Sequence, residues 1–177
     1  MAHPKRFIKV TTQKKEKLFI LAYSFDRLTY NEFSEKYKIE RNEIPILYDK
    51  TRKKTLKIQK IRDKYNSILN RDKSNFCNFK EFYNWYKAQL NECCYCKTKQ
   101  KDLQLLFNQG ILSSKKFNGT LHIERFDSRK PYSIVNCGLA CAICNNAKSD
   151  LVSKKDFEKF FADSIKIFLN EKIEELK

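Results

Sequence analysis

Four cysteines stand in two C-x-x-C pairs, Cys93 with Cys96 and Cys141 with Cys144. Between the pairs lies Leu121-His122-Ile123-Glu124-Arg125-Phe126, and the second pair runs straight into Asn145-Asn146-Ala147-Lys148. Two residues between cysteines let both thiolates reach one ion, and two such pairs complete a closed tetrahedral site whose natural occupant is structural zinc. A closed site leaves no position for a reacting group, so chemistry has to come from the residues around it. Cys77, Cys94 and Cys137 are left over as expected free thiols. A register using Cys94 or Cys137 stays open, although neither restores a spacing as good as the pairs. If Thr120–Phe126 is a strand, period-two alternation sets His122 and Glu124 on one face with Thr120 and Phe126, and Leu121, Ile123 and Arg125 on the other. A histidine and a carboxylate sharing a face ahead of a metal-stapled helix make a candidate divalent-ion site.

The elements that must hold these residues follow from local pattern. Asp127-Ser128-Arg129-Lys130-Pro131 is expected to reverse the chain, Tyr132–Asn136 to form a return strand, and Cys141 to open a short helix carrying Asn145 and Lys148. The result is a β-β-α element. With three glycines and three prolines in 177 residues, 41% hydrophobic and 14% aromatic, the chain reads as α+β and predominantly helical. Phe79, Phe82, Tyr83, Tyr86 and Leu90 recur at helical spacing behind the Asn78/Glu81 cap and should brace the first cysteine pair, with Trp85 on another face, free for a contact. Asp102–Leu112 has helical spacing and Lys115–Gly119 reads as a turn. Ser153 and Asp156 cap a last helix whose Phe157, Phe160, Phe161, Ile165, Phe168 and Leu169 form a broad apolar side. That side is expected to be core, and its length also permits a homodimer contact.

Upstream, helices are expected over Lys14–Tyr23, from Thr29 to Tyr37, from Asn42 with Pro45 in its first turn, and over the amphipathic run Thr51–Asn70 bearing Leu56, Ile58, Ile61, Tyr65, Ile68 and Leu69. Two short helices with a four-residue joint suggest a helix-turn-helix, which would aim Arg41 and Asn42 at base edges and set Arg52, Lys53 and Lys54 on phosphates. The polar stretch Asn70–Asn75 is the expected boundary. It divides a basic helical region, residues 1–75, from a zinc-stabilised domain, residues 76–177.

Lys and Arg number 37 against 21 Asp and Glu, and the excess is uneven: residues 1–90 hold 22 basic and 10 acidic side chains. A polyanion partner is favoured, attracted chiefly by the first half. No apolar run is long enough to cross a bilayer and Met1–Val10 lacks a signal-type apolar core, so a membrane partner is not expected. C-x-x-C pairs serving as metal ligands suit a reducing compartment, so the reading is cytoplasmic.

Cys93-x-x-Cys96, Leu121-His122-Ile123-Glu124-Arg125, Pro131–Asn136 and Cys141-x-x-Cys144-Asn145-Asn146-x-Lys148-Ser149-Asp150 together resemble the zinc-containing HNH endonucleases of the ββα-metal superfamily. The resemblance covers about residues 91–150. It implies a ββα-metal nuclease core that hydrolyses phosphodiesters of double-stranded DNA with a catalytic Mg2+ or Mn2+, held here by Glu124 and Asn145. It also implies that Asn136 ties the loop by backbone hydrogen bonds. The family's habitual settings are restriction, phage defence and mobile elements. One departure matters. The commoner motif has histidine directly after the acidic residue, and that position is Arg125, which cannot act as a base because its pKa stays above about 12. A His-x-acidic-Arg sub-pattern leaves His122 as base or second metal ligand, with Arg125 or Lys148 against the scissile phosphate. Two other readings stay open: a non-catalytic zinc DNA-binding protein, and a nuclease or binder directed to RNA, since phosphate contacts carry no base information.

Overall fold

The computed structural model describes residues 12–71, 75–76, 78–112 and 119–176. Residues 72–74 of the expected boundary, Cys77, Lys115–Asn118 of the expected turn and Met1–Val10 lie outside them. The chain divides into two compact units, Met1–Asn66 and Ser67–Lys177. Among the described residues no helix is long and apolar enough to cross a membrane.

The first unit is helical. Helix α1 (Thr12–Leu21) runs into a π-helical turn, Ala22–Asp26, that ends on Arg27 in the left-handed region. Helix α2 (Tyr30–Tyr37) begins at a full capping box, Thr29 accepting from the Glu32 amide while the Glu32 carboxylate accepts from the Thr29 amide. Helix α3 then extends without a break from Glu43 to Leu69. Sequence reading divides this stretch in two; the structure joins it, because Pro45 sits in the first turn, where no amide proton is needed. Phe19, Ala22, Phe33, Ile39, Ile44 and Leu47 form the core. Phe19 and Phe33 meet edge-to-face at 5.2 Å, a favoured arrangement of ring quadrupoles. Further along α3 the buried side keeps Ile58, Tyr65 and Ile68 of the expected row but not Leu56 or Leu69, and takes in polar residues. Thr51, Thr55, Ile58, Arg62 and Tyr65 are buried and Leu56 is exposed. The threonines satisfy their hydroxyls on the α3 carbonyls of Leu47 and Arg52, and Arg62 donates to the carbonyls of Ser24 and Phe25 at the end of the π turn. Burial pulls the Arg62 guanidinium below its usual range.

In the second unit α4 (Phe79–Ala88) starts at Asn78, whose side chain accepts from the Glu81 amide. It buries Phe79, Phe82 and Trp85. Trp85 is thus a core residue, its ring 5.4 Å from Phe76 and 5.6 Å from Phe82, whereas Leu90 is exposed. The first cysteine pair follows as a tight turn, then α5 (Gln100–Asn108), a two-stranded antiparallel sheet of β1 (His122–Arg125) and β2 (Cys137–Ala140), and α6 (Ala142–Lys148). The return strand therefore lies one segment later than Tyr132–Asn136. That stretch is consumed by a turn that Asn136 closes, and the small residues of Cys137-Gly138-Leu139-Ala140 pair with β1 instead. Gly138 is needed there: a Cβ would meet the Phe126 ring at 2.9 Å and Cys94 Sγ at 3.2 Å. The last helix is two, α7 (Lys154–Phe160) and α8 (Ala162–Glu174). Phe157 and Leu169 are buried, whereas Phe160, Phe161 and Phe168 of the expected apolar side are exposed.

Candidate functional site

The four cysteines converge as the spacing predicts. Cys93, Cys96, Cys141 and Cys144 are buried, and their Sγ atoms all lie within 4.8 Å of one another. Cys96 and Cys141 are 3.8 Å apart. Four thiolates at a Zn–S distance near 2.3 Å stand ~3.8 Å from each other by tetrahedral geometry, so the cluster fits one ion. Two local devices build it. Lys97 adopts φ +62° and donates its amide to the Cys93 carbonyl at 3.0 Å, curling the first pair; Cys141 is the N-cap of α6, its sulfur accepting from the Cys144 amide at 3.3 Å. The Cys94 amide donates to the Leu139 carbonyl at 2.7 Å, which fastens the first pair to β2. The two leftover cysteines nearby stay outside the cluster, and burial pushes the Cys137 thiol up to about 11, well away from the thiolate form a ligand needs.

Beside this cluster β1 and α6 pack together. The register sets His122 opposite Ala140 and Glu124 opposite Gly138, so the two residues share a strand face across from small partners. His122 is half-buried and Glu124 is 7% exposed. The Lys148 ammonium lies 2.9 Å from Glu124 Oε1 and donates to the carbonyls of Arg125 at 3.2 Å and Ser149 at 3.3 Å. Three protons meet three acceptors on a side chain only 1% exposed. Burial raises the Glu124 carboxyl above its usual range, with Lys148 pulling in the opposite direction. Tyr95, from the first cysteine turn, is also buried here, and its phenol is pushed up by burial and by the Glu124 charge. Sequence reasoning gives Tyr95 no role; its place between two metal ligands was the available signal.

Arg125 occupies the other strand face. Its guanidinium stacks over the Tyr132 ring at 4.9 Å and donates to the Lys130 carbonyl at 3.3 Å. Asn136 is buried behind the turn: its Nδ2 donates to the carbonyls of Asp127 and Pro131, each at 3.0 Å, and its Oδ1 accepts from the Asp127 amide at 3.0 Å. Removing such a residue leaves buried backbone groups unpaired at about 1–3 kcal/mol each. Asn136→Ala is therefore expected to destabilise the protein by about 2–4 kcal/mol, read as a lowered urea midpoint with unchanged slope. Asn145 is half-buried on α6. Arg41 and Asn42 are exposed at the start of α3, with Arg41 held by the Asn31 side chain of α2, and Arg52, Lys53 and Lys54 are exposed along the same helix.

An open cleft of about 630 Å³ adjoins the Asn136 turn, and Arg129, Lys130, Lys148, Lys154 and Lys155 are among its lining residues. Lys154 sits 3.8 Å above the Phe126 ring, and Asp127 holds Arg129 and Lys130 in place. Apart from Lys148, these basic residues do not stand out in the sequence, because the Asp127–Lys130 turn and the start of α7 come together only in the fold.

No family model matches the chain, and no curated protein does. Among solved structures, its fold is similar to that of the rare-cutting HNH restriction endonuclease PacI, with a TM-score of 0.50 and 23% identity over 60% of this chain and 74% of that one. At that identity the likeness is one of fold.

Proposed function

We propose that the protein is a metal-dependent endonuclease that hydrolyses double-stranded DNA at the β1–α6 face. The observation that carries this reading is Glu124, a carboxylate buried on the strand that packs against the Asn145-bearing helix, in a fold shared with an endonuclease described as perturbing DNA. Lys148 pairs with Oε1 of Glu124, and the Glu124 carboxylate and the Asn145 amide oxygen are the donors that would hold a catalytic Mg2+ or Mn2+. Once bound, such an ion supplies positive charge against the phosphate and the leaving 3′-oxygen. Lys148 fixes the carboxylate and reaches the reaction through it, since its three protons are already committed. His122, on the Glu124 face, accepts the proton of the attacking water. Asn136 holds the turn that shapes the cleft, and Lys154, Lys155, Arg129 and Lys130 position the phosphate backbone. In the first unit Arg41 and Asn42 lie at the start of α3, where a helix-turn-helix would present them to bases, with Arg52, Lys53 and Lys54 on phosphates. A four-cysteine zinc site and unbridged thiols suit a reducing, cytoplasmic setting.

A second reading has a specific observation behind it. Arg125 stands at the usual base position and is committed to Tyr132 and the Lys130 carbonyl, as suits a zinc-containing DNA-binding protein without catalysis. Incubation with supercoiled plasmid and Mg2+ or Mn2+, beside single-stranded DNA and RNA of matched length, separates the two. Nicked or linear plasmid, with little cutting of the other substrates, is the expected result; tight binding with no cutting under either ion supports the second reading.

A further inference from the structure

Between Lys50 and Arg62 the chain holds seven basic residues and no acidic one. At 100° per residue, Lys50, Lys53, Lys54, Lys57 and Lys60 fall within a sector of about 120° on α3, off the buried side marked by Thr51, Thr55, Ile58 and Arg62. All five are exposed. They stand three or four residues apart, which makes neighbours of Lys50 with Lys53 and Lys54, of Lys57 with both Lys53 and Lys54, and of Lys57 with Lys60; each contact between like charges disfavours the helix. Elsewhere in the chain two lysines are paired along a helix, Lys154 with Glu158 four residues on and Lys172 with Glu175 three on. On α3, Asp49 stands four residues before Lys53 and Asp63 three after Lys60, yet among the described residues none of the five lysines is in an ion pair.

We infer that this lysine face of α3 binds the sugar-phosphate backbone of duplex DNA. A helix that keeps a row of mutually repelling ammonium groups is complementary to a linear array of negative charge. From Lys50 to Lys60 the row runs ~15 Å, the rise of about four nucleotides along one strand. Lysine is a point charge on a flexible stem, suited to phosphates rather than to planar base edges. Between Lys50 and Lys60 the sector carries no asparagine, glutamine or aromatic side chain with which to read a base. The surface therefore supplies affinity and orientation, with sequence left to other residues. Arg52 lies on the far flank of the helix by the same geometry, outside the row. The inference rests on the proposed function for its ligand and deepens it: of the residues set on phosphates there it keeps Lys53 and Lys54, drops Arg52, and adds Lys50, Lys57 and Lys60, and it does not involve the active site.

The test is fluorescence anisotropy of the full chain with labelled duplex DNA, without added divalent ion, over a salt series. The protein with Lys53→Gln, Lys54→Gln and Lys57→Gln together is compared with wild type and with a control carrying Lys101→Gln, Lys159→Gln and Lys166→Gln. Loss of three phosphate contacts should reduce the slope of log affinity against log salt by about 2–3. The reduction should be equal for two duplexes of unrelated sequence and absent in the control. The thermal midpoint of the row variant should hold or rise, because repulsion is relieved. An unchanged slope, an equal effect in the control, or stronger binding of an RNA duplex than of DNA would overturn the inference. Wild-type binding without cleavage would instead count against the proposed function and leave this surface in place.

Discussion

A zinc ion held by the Cys93/Cys96/Cys141/Cys144 cluster is expected to staple the second unit, so that its removal unfolds that unit. The cluster's four sulfurs gather two segments of chain with 44 residues between Cys96 and Cys141, and the sheet is only two strands of four residues. Such a sheet is marginal unless something else holds its flanks. Structural zinc binding is worth about 10–16 kcal/mol in small zinc domains, as large as the whole stability of a typical domain, about 5–15 kcal/mol. A thiol-reactive zinc assay run beside near-ultraviolet circular dichroism should show metal release and loss of the aromatic signal together, with Trp85 and Tyr95 as reporters. Cys144→Ser should have the same effect at lower chelator concentration. A chain that releases its metal and keeps the native signal would show that the cluster is not the staple.

The second large effect belongs to the Glu124–Lys148 pair. Lys148→Met keeps most of the side-chain volume but leaves the Glu124 carboxylate buried without its partner, and leaves the carbonyls of Arg125 and Ser149 without a donor. Breaking a buried pair from one side costs about 3–5 kcal/mol, whereas replacing both partners with apolar groups of similar volume is often close to neutral. Lys148→Met should therefore lower the urea midpoint steeply, and the combination of Glu124→Leu with Lys148→Met should recover most of the loss. A single change costing under about 1 kcal/mol would mean that water already reaches the pair.

The metal cluster was legible in the sequence because its determinants are local: two C-x-x-C pairs and a helix that starts on Cys141. The α+β class, the β1 alternation and the caps at Thr29, Asn78 and Ser153 were legible for the same reason. What was not legible depended on contacts between distant segments. The Asp127–Pro131 reversal places the return strand at Tyr132–Asn136, but a tight turn at Asn136 and the close approach of Phe126 to Gly138 move it to Cys137–Ala140. Trp85 reads as a free face until Phe76 and Phe82 close on it. Part of the α3 core face escaped a count of aliphatics because Thr51, Thr55 and Arg62 bury polar atoms that find partners on nearby carbonyls. Of the site residues, Glu124 and Lys148 meet each other, Arg125 is turned to Tyr132, and the basic cleft becomes visible only when the segments Asp127–Lys130 and Leu151–Lys155 come together.

The central claim is that phosphodiester cleavage takes place on the face of β1 that carries His122 and Glu124. Its most direct test is single-turnover cleavage of supercoiled plasmid with Mg2+ or Mn2+ by wild type, His122→Ala and Glu124→Gln, each first shown to hold zinc and to be folded at the assay temperature, since Glu124→Gln also weakens the buried pair with Lys148. Loss of a positioned proton acceptor typically costs about 10²–10⁴-fold in rate. The expected result is a fall of that order in both variants with duplex binding preserved. Cleavage at the wild-type rate by both folded variants would put the active site elsewhere in the chain.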